Sequence, residues 1–478
     1  MCYESEKLKK LVESYCDDLT EKTREILRMP SVLNEPCDAA PFGADIAAAL
    51  ERTLDLGRDM GFLTANLDGY AGTIDLLPEG YTGTMEDAVG ILCHIDVVPA
   101  GAGWQHPPFA AIVEDGRIYA RGAVDDKGPL MASLFAMKAV KELGLPVSRP
   151  VRNIIGTDEE THCRCVRHYL NKLPQPAFGF TPDADFPVVF AEKGIAHMNC
   201  AIELPESGTD DLKLLSVCGG IRINMVAGEA ETVLSATAAG YASVEAVLKS
   251  FVRRESITVE YQKDSDVLTV HAAGQPAHAS TPHLGVNAIE ILFDFLLTLP
   301  LGGLNAPLDA LYRAVLSDYF GEGLGVACED EDSGKLTLSA DMINFVKNDT
   351  NSRIVISLDM RYPVTRDFAE IWEQLEKSCS SYGMTAELLE DNKPLYVPKN
   401  SHLVKTLSDV YREVTGDNSP PLAVGGGTYS RVFNNFVAFG PKFPHQEQLA
   451  HQADEYISID DLLLMTVIYA EAIWRLAK

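Results

Sequence analysis

A chain of 478 residues is too long for one ordinary hydrophobic core, so its length predicts two or three domains. Its 40 basic and 69 acidic residues give a formal net charge of −29, which disfavours binding to nucleic acid or to an anionic membrane surface. Apolar runs fall short of the roughly 20 residues of a membrane helix, the charged start has no signal core, and the ten cysteines are scattered. We therefore expect a cytoplasmic protein without a disulfide framework.

Up to about residue 194, apolar strand patterns alternate with helical ones. Asp115-Gly116 is a typical hairpin turn, and Pro129 suits the first turn of a helix. Such alternation predicts an α/β sheet with some parallel pairing. The elements expected here are a helix over residues 4–28, strands at 89–93, 110–113, 117–120, 151–156 and 177–181, and a helix over 129–143.

After about Gly194 the pattern changes to strand pairs followed by single helices, which is typical of an antiparallel α+β domain. From about Pro394 longer helices return, and Ser458 is the expected N-cap of the last one. The expected domains are 1–194 together with 389–478, and an inserted domain at 195–388. The elements expected here are strands at 257–261, 267–272 and 353–360, and helices at 286–299, 368–379, 402–414 and 459–476.

Acidic and histidine side chains gather where the predicted strands end. Any one of these clusters alone is best explained as a capped strand end or a solvated turn. Three carboxylate clusters and a histidine are better explained by bound cations, because sites in α/β sheets form at the carboxyl ends of strands. Imidazole and carboxylate together suit zinc, cobalt or manganese. The clusters are His94-Ile95-Asp96, Asp125-Asp126, Thr157-Asp158-Glu159-Glu160 and Pro182-Asp183-Ala184-Asp185.

Adjacent Glu159 and Glu160 cannot easily serve one metal with the same geometry, so the sequence predicts two roles for them. One can ligate a metal while the other takes a proton from a water molecule and passes it to a leaving amine. Two further histidines lie far away in the chain: His278 in a turn-rich loop, and His451 ahead of the final helix. Either of these alone is more often a structural histidine.

Together these motifs resemble the di-metal peptidases and deacylases that include carnosinase, aminoacylase and acetylornithine deacetylase. Within that family the chain is most similar to the PepV-like bacterial dipeptidases. The resemblance covers nearly the whole chain, in the right order. It implies a catalytic α/β domain with a mixed, mainly parallel sheet flanked by helices, and an inserted α+β, ferredoxin-like lid domain.

The resemblance also implies roles for individual residues. Asp125 should bridge two metals, because the family's ligand lies two residues before the lysine of the Asp-x-Lys-Gly stretch. Glu159 should be the general acid/base, Asp96 should orient the ring of His94, and His278 should stabilise the oxyanion. The implied metal ligands are His94, Asp125, Glu160, Asp183 and His451. The implied substrate-binding residues are Arg361, which should clamp the substrate carboxylate, Asn224, Gly426, Gly427 and Thr428.

The implied activity is metal-dependent hydrolysis of the peptide bond of dipeptides, with two divalent ions, zinc first and manganese or cobalt as alternatives. A small peptide is the expected partner. A monomer is expected because the insertion is long enough for two lid-sized units, and a homodimer is the alternative. An N-acyl amino-acid deacylase with the same metals is the rival function, and a non-catalytic scaffold would lack Glu159 or a ligand. The sequence departs from the family at Thr161-His162-Cys163, where a small residue such as glycine is expected, and at His106.

Overall fold

The structure is a computed structural model that describes residues 3–205, 208–262, 265–347 and 351–478. The chain divides into two compact units. The first unit comprises Met1–Ala191, Leu395–Ala423 and Thr428–Lys478, and the second comprises Glu192–Pro394 and Val424–Gly427. Within the described ranges, no helix is both long enough and apolar enough to cross a bilayer.

The elements before the second unit alternate as the sequence predicts. The helices are α1 Tyr3–Ser14, α2 Cys16–Leu27, α3 Ala44–Asp59, α4 Lys127–Glu142 and α5 Arg164–Lys172. The strands are β1 Leu63–Leu67, β2 Ala71–Leu76, β3 Val89–His94, β4 Ile112–Glu114, β5 Arg117–Tyr119, β6 Val151–Gly156, β7 Phe178–Thr181, β8 Ala184–Asp185 and β9 Val189–Glu192.

The second unit is built mainly from long antiparallel strands. Its strands are β10 Gly194–Leu204, β11 Leu212–Gly219, β12 Glu229–Ala236, β13 Ile257–Gln262, β14 Val267–Ala273, β15 Glu329–Asp330, β16 Gly334–Lys335, β17 Thr337–Lys347, β18 Ser352–Tyr362 and β19 Met384–Asn392. Its helices are α6 Ala238–Ser250, α7 Ala288–Leu297, α8 Asn305–Leu311, which continues as a π-helix over Tyr312–Leu316, and α9 Phe368–Ser381.

The chain then returns to the first unit. Its remaining elements are β20 Leu395–Tyr396, α10 His402–Thr415, β21 Leu422–Val424, β22 Phe436–Ala438, β23 Pro441–Lys442, β24 Tyr456–Ser458 and α11 Ile459–Ala477. Short 3₁₀ turns lie at Met85–Asp87, Arg254–Ser256, Pro282–Leu284, Gly302–Leu304 and Tyr429–Val432. Ser458 caps α11 as predicted, because its hydroxyl accepts the N–H of Asp461 at 3.0 Å.

The main sheet of the first unit is mixed, and its strand order is β1-β2-β6-β3-β7-β22-β9-β20, with β21 paired to β9. The central strands β6, β3, β7 and β22 are parallel, and antiparallel strands flank them. Helices α4 and α11 pack on each other and on β3, while α3 packs on β1 and β2. The predicted α/β class, with helices flanking a mixed sheet, is confirmed.

The first predicted helix differs from the observed one. The sequence predicts one helix over 4–28, but the structure has α1 and α2 with Tyr15 between them. The hydroxyl of Tyr15 hydrogen-bonds Glu142 of α4, and its ring meets the ring of Phe135 edge-on at 5.7 Å between centroids. These tertiary contacts coincide with the break. The sequence has neither proline nor glycine at this point, so the break could not be predicted from it.

The large sheet of the second unit has the order β13-β14-β12-β11-β17-β18-β10-β19. Its four strands β17-β18-β10-β19 take the antiparallel order of a ferredoxin-like fold, and α8 and α9 are its helices. The other four strands, β13-β14-β12-β11, have the same spatial order. Here the strand in the place of β19 is β11, which comes first rather than last in the chain. Helices α6 and α7 pack on these strands. The two halves join where β11 pairs with β17 at Cys218–Asn344 and Gly219–Ile343.

Candidate active site

Three neighbouring parallel strands bring the predicted acidic clusters to one edge of the main sheet. Strand β3 lies between β6 and β7, with register pairs such as Cys93–Ile155 and Ile91–Phe180. Because all three strands run the same way, their carboxyl ends meet at one edge. His94 ends β3, while the Glu159-Glu160 pair follows β6 and Asp183 follows β7.

The imidazole of His94 is buried and held from both sides. Its Nδ1 donates to the backbone carbonyl of Asp96 at 2.9 Å, and its Nε2 lies 3.0 Å from Oδ1 of Asp125. The carboxylate of Asp96 lies 3.6 Å from Nδ1 and accepts the backbone N–H groups of Glu159 and Glu160 at 3.2 and 3.1 Å. Asp96 therefore holds the histidine ring through its backbone carbonyl and the glutamate pair through its carboxylate, whereas the sequence pointed only to the ring.

The carboxylate of Asp125 lies between two imidazoles. Its Oδ2 is 3.0 Å from Nε2 of His451, which is also 3.0 Å from Oε2 of Glu160. Burial raises the pKa of Asp125, but the two imidazoles outweigh it and hold that pKa below its usual value. Asp125 and Glu160 in turn raise the pKa of His451 to about 10.

Glu159 and Asp183 complete the cluster. Each has a carboxylate oxygen within 4.8 Å of a ring nitrogen of His94 and of the other carboxylate. Burial is the main reason that the pKa of Glu159 rises to about 7 and that of Asp183 rises well above its usual value. A carboxyl group with a pKa near 7 can accept and return a proton near neutral pH.

These donors fit divalent cations. His94 converges with Glu159 and Asp183 in one group and with Asp125 and Glu160 in another, to which His451 adds its Nε2. Carboxylates crowded at one enclosed edge repel one another unless a cation neutralises them. Mixed imidazole and carboxylate donors suit zinc, manganese or cobalt, so the residues present match the ions that the resemblance implies.

The loop that carries Asp125 is held by the buried carboxylate of Glu455, a residue for which the sequence predicted no role. Oxygens of Glu455 accept the N–H groups of Val124 at 2.8 Å, Gly122 at 3.1 Å and Asp125 at 3.3 Å. The carboxylate also pairs with the buried guanidinium of Arg121 at 2.6 Å. Glu455 follows His451 by four residues, so it links the segments that bear two of the predicted ligands.

The two departures from the family pattern have separate surroundings. Cys163 has a φ of 50°, in the left-handed region that favours glycine, which explains why a small residue is expected there. The ring of His106 stacks on Tyr119 at 4.0 Å, and its nitrogens lie 3.2 Å from Asp454 and 2.8 Å from Glu114. His106 thus ties its loop to the segment that follows His451.

The remaining predicted residues, except Thr428, lie in the second unit. Ser280 Oγ is 2.8 Å from Nδ1 of His278, and the backbone of His278 bridges to Met225, next to Asn224. Arg361 is buried against Asp359 and donates to the carbonyl of Gly425 at 2.9 Å. The structure brings His278, Asn224, Arg361 and the Gly425–Gly427 segment together within this unit, whereas Thr428 caps the 3₁₀ turn at Tyr429–Val432 in the first unit.

A family model described as "Peptidase family M20/M25/M40" matches residues 90–475. The chain therefore belongs to this peptidase family and is a hydrolase, and the resemblance stated from the sequence is confirmed. Membership implies divalent metal ions, which the donor set fits.

Curated relatives match over nearly their whole length. A Bacillus subtilis protein named "Putative dipeptidase YtjP" is 40% identical over 473 residues, which cover 97% of this chain and 98% of the relative. A Staphylococcus epidermidis protein named "Putative dipeptidase" is 34% identical over 475 residues, which cover 98% and 99%.

Solved structures share the fold at low identity. Human carnosine dipeptidase 1 gives a TM-score of 0.55 at 14% identity, with 99% of this chain and 98% of that chain covered. Aminoacylhistidine dipeptidase from Vibrio alginolyticus gives 0.58 at 11% identity, with 96% of each chain covered. At these identities the likeness is one of fold alone.

Proposed function

We propose that this protein hydrolyses the peptide bond of dipeptides. The observation that carries the proposal is the convergence of two imidazoles and four carboxylates at the carboxyl ends of β3, β6 and β7. The relatives at 40% and 34% identity bear the names "Putative dipeptidase YtjP" and "Putative dipeptidase", which favours this substrate class. The residues that would hold two divalent ions, zinc first, are His94, Asp125, Glu160, Asp183 and His451.

Divalent ions at this centre would supply Lewis acidity, which lowers the pKa of water and polarises a carbonyl group. Glu159 takes the proton from the attacking water and returns it to the leaving amine, a role that suits its pKa of about 7. Asp96 holds the backbone of Glu159 in place through the N–H at 3.2 Å. His278 donates to the developing oxyanion, and Arg361 binds the free carboxylate of the substrate.

The competing function is hydrolysis of N-acyl amino acids by the same residues. The test is to measure amine release from a panel of dipeptides and from matched N-acetyl amino acids. The assays are run before chelation, after verified metal removal, and after adding back zinc, manganese or cobalt. We expect dipeptides to be cleaved, chelation to abolish cleavage and metal to restore it. Preferred cleavage of N-acetyl amino acids, or full activity without metal, would overturn the proposal.

A further inference from the structure

The second unit presents a compact cluster around His278 that contains two arginines. The loop that bears His278 is fixed to the turn before β12, because Ala279 donates to the carbonyl of Asn224 and Val226 donates to that of Ala277, both at 3.0 Å. Asn224 has a φ of 83° and its N–H donates to Asp341 at 2.8 Å. This turn is therefore held both by the His278 loop and by Asp341, so the backbone that carries its side chains is fixed.

Arg361 has two N–H groups left for a ligand. Its Nε and one Nη bind the two oxygens of Asp359 at 2.5 and 2.7 Å, and the other Nη donates to Gly425 at 2.9 Å. One N–H on each Nη then has no acceptor among the described residues and can donate to a carboxylate. The charge of Arg361 is already balanced by Asp359, whose carboxylate also lies 3.3 Å from His197.

Arg222 is the other arginine, and no residue that the structure describes balances its charge. It is exposed, and it forms no ion pair with any residue that the structure describes, although the whole chain carries a net charge of −29. One Nη lies 3.8 Å from the sulfur of Met225, whose backbone bridges to His278. Burial is the main reason that the pKa of His278 is lowered, and the charges of Arg361 and Arg222 lower it further. Both arginines therefore lie within electrostatic reach of this imidazole.

We infer that Arg222 selects dipeptides whose C-terminal residue is aspartate or glutamate. The inference rests on the proposed function, in which Arg361 binds the α-carboxylate. The remaining N–H groups of Arg361 donate to one carboxylate, and an acidic C-terminal residue brings a second carboxylate a few bonds away. Arg222 lies on the same turn as Asn224 and forms no ion pair with a described residue, so it is placed to receive the side-chain carboxylate.

The test compares the substrates Ala-Glu and Ala-Gln, which differ in charge but hardly in shape, with Ala-Leu as a reference. We expect the unaltered enzyme to have a kcat/KM for Ala-Glu roughly three- to tenfold above that for Ala-Gln, mostly through KM. Arg222→Gln should remove this difference and leave Ala-Gln and Ala-Leu within about twofold, and Arg222→Lys should keep part of it. Added salt should weaken the preference, because the site is exposed.

Arg254→Gln is the matched control, because Arg254 is an exposed arginine of the same unit outside the cluster, and it should leave all three substrates unchanged. An equal loss of kcat/KM for Ala-Glu and Ala-Gln in Arg222→Gln would mean that Arg222 binds the α-carboxylate or supports folding, and it would overturn the inference. Cleavage of Ala-Leu without any preference for Ala-Glu would also overturn it while leaving the proposed function intact. If no dipeptide is cleaved, the proposed function itself is refuted.

Discussion

Glu159 and Glu160 are neighbours in the chain with different surroundings. Glu160 contacts His451 at 3.0 Å, whereas Glu159 lies near His94 and Asp183. We expect Glu159→Gln to lower kcat by roughly 10²- to 10⁴-fold while metal content stays nearly intact, because it removes only the proton carrier. We expect Glu160→Gln to lower metal content itself. Elemental analysis after gel filtration, paired with kcat, checks both variants, and the reverse pattern would exchange the two roles.

Glu455 offers a test of how the loop that carries Asp125 is held. Glu455→Gln keeps the shape of the side chain, but its amide nitrogen cannot accept the N–H groups that the carboxylate now accepts. We predict a metal affinity roughly 10- to 100-fold weaker, smaller than the loss in Glu160→Gln, measured by calorimetric titration of the metal-free protein. Glu447→Gln alters an exposed glutamate of the same segment and should bind metal normally. Unchanged affinity in Glu455→Gln would refute this role.

At the residue scale, the sequence pointed to residues whose signal is local. His94 and Asp183 could be found because each lies at the carboxyl end of an apolar strand. Glu455 could not, because its partners Arg121 and Gly122 lie more than 300 residues earlier in the chain. Asp454 and Glu455 look equally like solvated acids in the sequence, yet only Glu455 is buried, since only its side chain faces the loop at Arg121.

Helix α4 begins in contact with the loop that carries Asp125. A Cβ at Gly128 would collide with the carbonyl oxygen of Ala123 and would lie 3.1 Å from Cδ1 of Ile457. We predict that Gly128→Ala lowers the free energy of unfolding by about 1–3 kcal/mol, because the helix or the loop must move, and that it also weakens metal binding. Denaturant unfolding and metal titration check this. Gly426→Ala, whose Cβ meets nothing within 4 Å, should leave stability unchanged.

Asp330 ties the β15–β16 hairpin to the turn after β18. Its carboxylate accepts the N–H and hydroxyl groups of Ser333 and of Thr365. Burial raises the pKa of Asp330, but these hydrogen bonds outweigh it and lower the pKa below the usual value. The carboxylate therefore stabilises the folded state above the unfolded-state pKa, and this contribution is lost as pH falls through the lower folded-state pKa.

We accordingly predict that Asp330→Asn lowers the free energy of unfolding by about 1–2 kcal/mol at pH 7, and that the difference shrinks below about pH 4. Thermal unfolding from pH 7 to pH 3 measures it. Glu331→Gln, an exposed neighbour, is the control. A difference that is constant across this pH range would show that the ionised carboxylate is not what stabilises the hairpin.

At the element scale, hydrophobic pattern was sufficient for the central strands and the long helices, since β3, β6 and α11 fall within a residue or two of their predicted bounds. Strand pairing was beyond it. β10 pairs with β18, so that Gly194 lies opposite Tyr362, a residue far away in the chain. Only tertiary contacts select partners at such a separation. The break at Tyr15 likewise coincides with contacts to α4, a helix more than a hundred residues later.

The whole second unit bears on the number of chains in the active enzyme. Its two ferredoxin-like halves lie in one chain, with His278 on the half that contains β14 and Arg361 on the half that contains β18. We predict a catalytically competent monomer, in which neither half is supplied by another chain. Mixing inactive His278→Ala with inactive Glu159→Gln under exchange conditions should give no activity. Recovered activity would mean that the histidine comes from a partner chain, and the monomer prediction would fail.

The junction of β11 with β17 has a consequence for how catalysis scales with the amount of protein. The register there spans two residue pairs, Cys218–Asn344 and Gly219–Ile343, which is a short ladder for holding separate chains together. Covalent connection keeps the two halves at a high effective concentration regardless of dilution. The turnover of each chain should then be the same at nanomolar as at micromolar protein, so the rate in a cell would rise in direct proportion to copy number from the first molecule made.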